Sequence, residues 1–232
     1  MANTQSQRRK SGLLRKFDKS IERIKPLLAS RFDPEQAHLL AGEAHREYEN
    51  LIPQLPYMGD WNPFTMFMLP TSRYLAMYRI LGGHGLTLEE VGQLIYKMGE
   101  ADLCAIPPVA RRLIGYLWFV PFLRNRVKKR AAVSQLRKYP GDFVFSYVEG
   151  DGEEFDYGID YTECANCKFL KDQGAMELAP YACAIDKAAG ELLGWGLTRT
   201  TTLAEGYEKC DFRFKKGGAT KVTLPESLER IL

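Results

Sequence analysis

The chain has 232 residues, 45% of them hydrophobic, enough for one large domain or two small ones around a substantial core. Its net charge is only +3, and its basic residues show neither aromatic interleaving nor a helix-turn-helix pattern, which argues against a nucleic-acid-binding class. The most apolar run, 113–123, falls far short of the roughly 20 residues a membrane span requires. Basic residues near the start are followed by no apolar run, so no secretory signal is expected, and five cysteines fit reduced thiols in a cytoplasm.

Residues 1–30 read as a basic amphipathic helix after a disordered start, with Leu13, Phe17, Ile21, Ile24 and Leu28 at helical spacing. Its apolar stripe suits packing on the chain itself or on a second subunit in a homodimer; weak contact with an anionic membrane surface is the competing use. Asp33 and Pro34 supply an N-cap and first helical position for a helix to about Asn50. His38 and His45 on that helix have no third ligand at metal spacing. Residues 53–70 hold four prolines and read as an irregular loop, in which Tyr57, Trp61 and Asn62 are candidate pocket-wall residues. A short helix from Ser72 to Leu81 follows, then one capped by Thr87 and Glu90, then a long helix over 109–138 kinked at Pro121. No Asp or Glu falls between 103 and 141, a segment rich in Arg and Lys.

Past residue 141 the period changes from helical to alternating. Phe143, Phe145 and Tyr147 alternate, Asp151 and Gly152 turn the chain, and Phe155, Tyr157, Ile159 and Tyr161 alternate again. Two helices over 165–173 and 177–193 end at Gly174 and Gly194, and a last hairpin spans 197–214 with its turn at Gly206. The expected fold is α+β: a helical N-terminal part packed on a four-stranded antiparallel sheet with two helices, in the order ββααββ. The expected parts are an extension over 1–30, a helical part over 31–141, the α+β part over 142–216 and a tail over 217–232.

The last hairpin turns Cys210, Phe212 and Phe214 toward the core and leaves Asp211 and Arg213 together on the other face. Such a pair either clamps a small polar ligand or is an ordinary surface pair. Cys164 stands where a strand gives way to a helix, a place where free amides lower a thiol pKa; a simply buried cysteine is the alternative. Asp160 and Glu163 lie beside it in sequence, with Lys168 one helical turn on. Cys164 and Cys167 form a single unrepeated Cys-x-x-Cys, so no structural zinc is expected, and no nucleotide or cofactor motif is present.

Several stretches taken together carry a resemblance. They are L-P-Y-M-G-D-W-N-P-F at 55–64, D-Y-T-E-C at 160–164, K-F-L-K-D-Q-G-A at 168–175, L-A-P-Y-A-C-A-I-D at 178–186 and G-W-G-L-T-R-T-T-T-L-A-E-G-Y-E-K-C-D-F-R-F at 194–214. Over roughly 41–216 the chain resembles the L-2-amino-thiazoline-4-carboxylic acid hydrolase family. The resemblance implies hydrolytic opening of a cyclic isothiourea-like ring to an N-carbamoyl cysteine, without a cofactor. In that chemistry the nucleophile is Cys164, or a water activated by Asp160, and the proton donor is Glu205 or Asp211. Arg213 would hold the substrate carboxylate, with Lys168, Tyr57, Trp61, Asn62 and Thr200 around the small-molecule substrate. One cavity between sheet and helices is then expected to gather Cys164, Asp160 and Arg213. A more distant similarity, to 4-vinyl reductase-like domains, supplies the alternative of a non-catalytic sensor or carrier. The zinc-binding cysteine of those domains falls at Thr200 to Thr202 here, where there is none. Charged residues converging on Cys164 favour the enzyme; a dry aromatic cavity favours the binder.

Overall fold

The computed structural model describes residues 2–60 and 62–232, and side chains from residue 7 onward. Helix α1 (Ala2–Phe32) buries Phe17, Ile21, Ile24 and Leu28 against α2 (Pro34–Leu51) and α4 (Leu88–Cys104). Its apolar stripe is therefore part of the chain's own core. One carboxylate pins three helices there. Asp102 on α4 accepts from Ser20 Oγ at 2.6 Å, from Arg23 at 2.7 Å and from Arg73 at 3.0 Å.

The caps of α2 and α4 form where the sequence places them. Asp33 accepts from the Gln36 amide, and Thr87 and Glu90 make a reciprocal capping box. Helix α3 (Thr65–Gly83) departs from expectation by starting well before Ser72 and running through Pro70. A proline near the start of a helix forfeits one backbone bond, and here Met68, Thr71, Ser72 and Leu75 bury their side chains around it. The expected long helix is instead two, α5 (Pro108–Trp118) and α6 (Pro121–Ser134), because Pro121 occupies the first turn of α6 and breaks the ladder rather than bending it.

The sheet has five strands, one more than expected. They are β1 (Val144–Glu149), β2 (Tyr157–Glu163), β3 (Leu197–Arg199), β4 (Cys210–Phe214) and β5 (Lys221–Val222), in the order β1-β2-β4-β3-β5. The first four pair antiparallel; β5 adds in parallel to β3, so the sheet is mixed and the tail over 217–232 contributes to it. At the other edge α6 covers β1: Ser134 and Gln135 bond the backbone of Phe145.

Helices α7 (Ala165–Asp172) and α8 (Ala179–Leu193) connect β2 to β3, and α8 packs between the sheet and α4. The inner face of the sheet carries Phe145, Tyr157, Ile159, Tyr161, Phe214 and Leu197, built by the register that pairs Tyr161 with Phe145 and Cys210. Trp118 and Trp195 stack at 4.6 Å beside this aromatic layer. Alternation sends Asp160, Asp211 and Arg213 to the opposite, solvent-facing side.

Candidate functional site

The outer face holds four of the residues singled out in the sequence. Asp160 takes Arg213 at 2.7 Å and Lys209 at 2.6 Å. Burial works to raise the Asp160 carboxyl, but the bonds from Arg213 and Lys209 outweigh it and hold it below the usual range. Asp211 pairs not with Arg213 but with the β3 end. Its carboxylate accepts the amides of Thr200 and Thr201 at 2.8 and 2.7 Å and the Thr200 hydroxyl at 2.6 Å. Burial again opposes ionisation, and these bonds overcome it. Both carboxylates are thus held ionised, as structural anchors of a sheet surface are. Glu205 lies exposed on the turn, bonded by Thr202.

Cys164 is elsewhere. It precedes α7, is buried, and sits on the inner side with Tyr161 and Cys210 within charge-interaction range. A single cavity gathering Cys164, Asp160 and Arg213 does not form, because the strand's alternation puts the last two behind the sheet. The expected low thiol pKa is also corrected. The hydrogen bond with Cys167, together with burial, pushes the Cys164 thiol well up, and the amides of Asn166 and Cys167 do not compensate.

Two further candidates share a surface groove of about 650 Å³, lined by Tyr57 and Lys168 together with Tyr139, Pro140 and Gln173. Lys168 is already committed there: it donates to the carbonyls of Pro140 and Asp142 at 2.8 and 2.9 Å and pairs with Glu163. Asn62 is buried and ties the loop together, donating to the Met58 carbonyl and accepting the Phe64 amide. Trp61 lies outside the described residues.

A cluster that the sequence reading did not assemble lies on the inner face, between β2, β3, β4 and α8. Arg199 points inward from β3 with its side chain only 2% exposed. It pairs with Asp186 on α8 and donates to the carbonyls of Cys183 and Thr223 at 2.9 and 3.2 Å. Asp186 retains 28% side-chain exposure and is the less buried member of the pair. Burial raises the Asp186 carboxyl, and Arg199 pulls it back only part of the way.

Around this pair stand Cys164, Cys183, Cys210 and Tyr161, close enough for their charges to interact. Burial raises Tyr161, Cys183 and Cys210, the last to about 12, and the Cys167 bond with burial raises Cys164, so at neutral pH the thiols and the phenol keep their protons. Two buried polar atoms near this region, Arg199 Nε and Asn166 Oδ1, have no partner among the described residues. Buried donors and acceptors rarely go unmatched unless a water or ligand completes them. No group of three or more His, Cys, Asp or Glu among the described residues has metal-holding geometry.

The cluster falls within a recognisable segment. Residues 119–214 match the model of the L-2-amino-thiazoline-4-carboxylic acid hydrolase family. The match supports membership of that family. No curated protein and no solved structure matches the chain. The hydrolase match takes in α6, β1 to β4, α7 and α8, and with them every member of the inner cluster; the 55–64 stretch lies outside it. Asp186 and Arg199 stand inside the stretches that carry the hydrolase resemblance, at 178–186 and 194–214. The missed signal was an Asp at the end of an apolar helical run, facing an Arg that alternates with Leu197 on a core strand.

Proposed function

We propose that the protein is a hydrolase that opens a small cyclic isothiourea-type acid, such as L-2-amino-thiazoline-4-carboxylate, to an N-carbamoyl cysteine-type product. The observation that carries this reading is the convergence of a partly exposed aspartate, a buried guanidinium and protonated thiols on the inner face, inside the family-matched segment. The reacting centre of such a substrate is the ring carbon between nitrogen and sulfur. Water adds there, the carbon–sulfur bond breaks and the water oxygen becomes the urea carbonyl; of the water's two protons, one ends on the ring nitrogen, which becomes a urea N–H, and the other must reach the departing sulfur.

Asp186 suits both proton transfers. As a base it removes a proton from the attacking water, and as the resulting acid it returns that proton to sulfur. A carboxyl raised by burial sits nearer the operating pH than one on the outer face, where Asp160 is held ionised. Arg199 fixes the carboxylate's orientation. The Tyr161 phenol stays protonated and so remains a hydrogen-bond donor for the tetrahedral intermediate. The raised thiols favour water over a resting thiolate nucleophile, since a covalent route through Cys164 would first need its proton removed.

The test is incubation of the purified protein with L-2-amino-thiazoline-4-carboxylate, following N-carbamoyl cysteine by mass spectrometry and the released thiol by colorimetry. Product formed in proportion to enzyme supports the reading. Saturable binding of the same acid, measured by calorimetry, with no product would replace the enzyme with a carrier.

A further inference from the structure

Helix α5 is seated inside out. Val109, Leu113, Tyr116 and Leu117 recur at i, i+4, i+7 and i+8, an arc of about 100° that would normally face a core. Here that arc faces solvent: Val109 is 77% exposed, Leu113 56% and Tyr116 58%. Gly115 alone of α5 is buried, pressed against the Leu193 carbonyl so closely that a Cβ would lie 2.0 Å from it. That backbone contact fixes the roll of the helix and keeps its apolar stripe outward. Phe122, at the start of α6, extends the exposed surface and is 65% exposed.

Cations frame these side chains. The Arg126 guanidinium lies 4.9 Å from the Phe122 ring centroid and Lys216 lies 5.3 Å from that of Tyr116. Arg112, Arg126 and Lys129 are exposed and form no salt bridge among the described residues, whereas Lys128 and Arg130 do, with Glu149 and Asp142. Between 103 and 141 there is no acid to oppose them.

From this arrangement we infer that the outer surface of α5 and the start of α6 docks on an anionic lipid bilayer, the apolar stripe entering the interface and the flanking cations meeting lipid phosphates. The charge pattern selects this occupant. A second copy across a two-fold axis would set Arg112, Arg126 and Lys129 against like charges with no carboxylate of this segment in reach. A nucleic acid would leave Val109, Leu113 and Leu117 against phosphates, with no base-stacking or hydrogen-bonding use for them. Aliphatic side chains flanked by Arg and Lys with an aromatic at the margin are what an interfacial helix presents to anionic lipid. The apolar stripe of α1 is already buried in the core, so this surface is distinct from the basic N-terminal helix.

The experiment is flotation of the full chain with phosphatidylcholine vesicles, with and without phosphatidylglycerol, at low and high salt. Binding is expected to vesicles containing phosphatidylglycerol and to weaken with salt. The double variants L113E/F122E and R112E/R126E should each lower partitioning about tenfold or more, with unchanged circular dichroism and thermal melting, because all four side chains are at the surface. Equal binding to both vesicle types, or none to either, would overturn the inference. So would retention of wild-type binding by L113E/F122E, a dimer by sedimentation that this variant abolishes, or preferential capture of RNA over vesicles.

Discussion

Replacing Arg199 by Met tests the inner cluster through its energetics. The guanidinium is 2% exposed and serves Asp186 and the Cys183 and Thr223 carbonyls at once. Removing one partner of a buried ion pair costs about 3–5 kcal/mol, because the other charge stays behind without compensation. Asp186 keeps 28% side-chain exposure, so water relieves part of that penalty and the lower end, about 3 kcal/mol, is expected. For a chain of this size that corresponds to a fall in Tm of about 6–12 °C. The double variant Arg199→Met/Asp186→Leu removes both charges and should regain a large part of the loss, the coupling expected of touching residues.

The pH dependence carries a definite sign. Without Arg199, nothing offsets the burial that raises the Asp186 carboxyl above its unfolded value. The native state then binds the proton more tightly than the unfolded chain, so Arg199→Met should gain stability as pH falls from 7 toward 5. Thermal and urea denaturation followed by circular dichroism measure both effects. A Tm loss under about 2 °C, or a double variant no more stable than Arg199→Met alone, would refute a coupled buried pair.

Three other outcomes are expected. In Gly92→Ala the new methyl carbon would lie 2.0 Å from the Tyr181 ring, so overpacking of about 1–3 kcal/mol should exceed the roughly 1 kcal/mol gain in helix propensity and lower the Tm. In a timed iodoacetamide reaction at neutral pH read by peptide mass spectrometry, exposed Cys104 should be modified first and Cys164, Cys183 and Cys210 slowly; rapid loss of Cys164 would contradict its raised pKa. The Asp211 carboxyl is lowered by its threonine bonds, so its contribution is present above its unfolded pKa near 4 and is lost as pH falls through the lower folded value. Asp211→Ala should therefore be less stable than the wild type at pH 7 by about 1 kcal/mol, because the partly exposed carboxylate and its bonds are screened by water, with the gap closing in acid.

What was legible in the sequence is local. Thr87 with Glu90, and Asp33 before Pro34, name their caps because the bonds involved span three residues. The alternation of Cys210, Phe212 and Phe214 likewise announced its own inner face. Register was not legible. Asp160 and Asp211 sit opposite each other across β2 and β4, so Arg213 reaches Asp160 on the diagonal instead of its sequence neighbour. Strand β5 is two residues long and has no period to detect; it exists because β3 offers a bare edge.

The inner cluster was hidden for a related reason. Arg199 on a short strand among threonines looks exposed, and only the packing of α8 on the sheet reveals Asp186 as its partner. Pro70 and Pro121 behave oppositely: buried side chains on both sides of Pro70 hold α3 together, whereas Pro121 takes the first turn of α6, where its missing N–H has no helical partner to lose.

The most direct test of the mechanism compares Asp186→Asn with Asp160→Asn in steady-state hydrolysis of L-2-amino-thiazoline-4-carboxylate, after melting curves show both variants folded. Asn retains a carbonyl oxygen for Arg199 but cannot accept a proton, so kcat for Asp186→Asn should fall by about 10²–10⁴, while Asp160→Asn stays within about threefold of the wild type. Loss of activity in Asp160→Asn with Asp186→Asn unimpaired would move the chemistry to the outer face of the sheet and contradict an inner-face reaction centre.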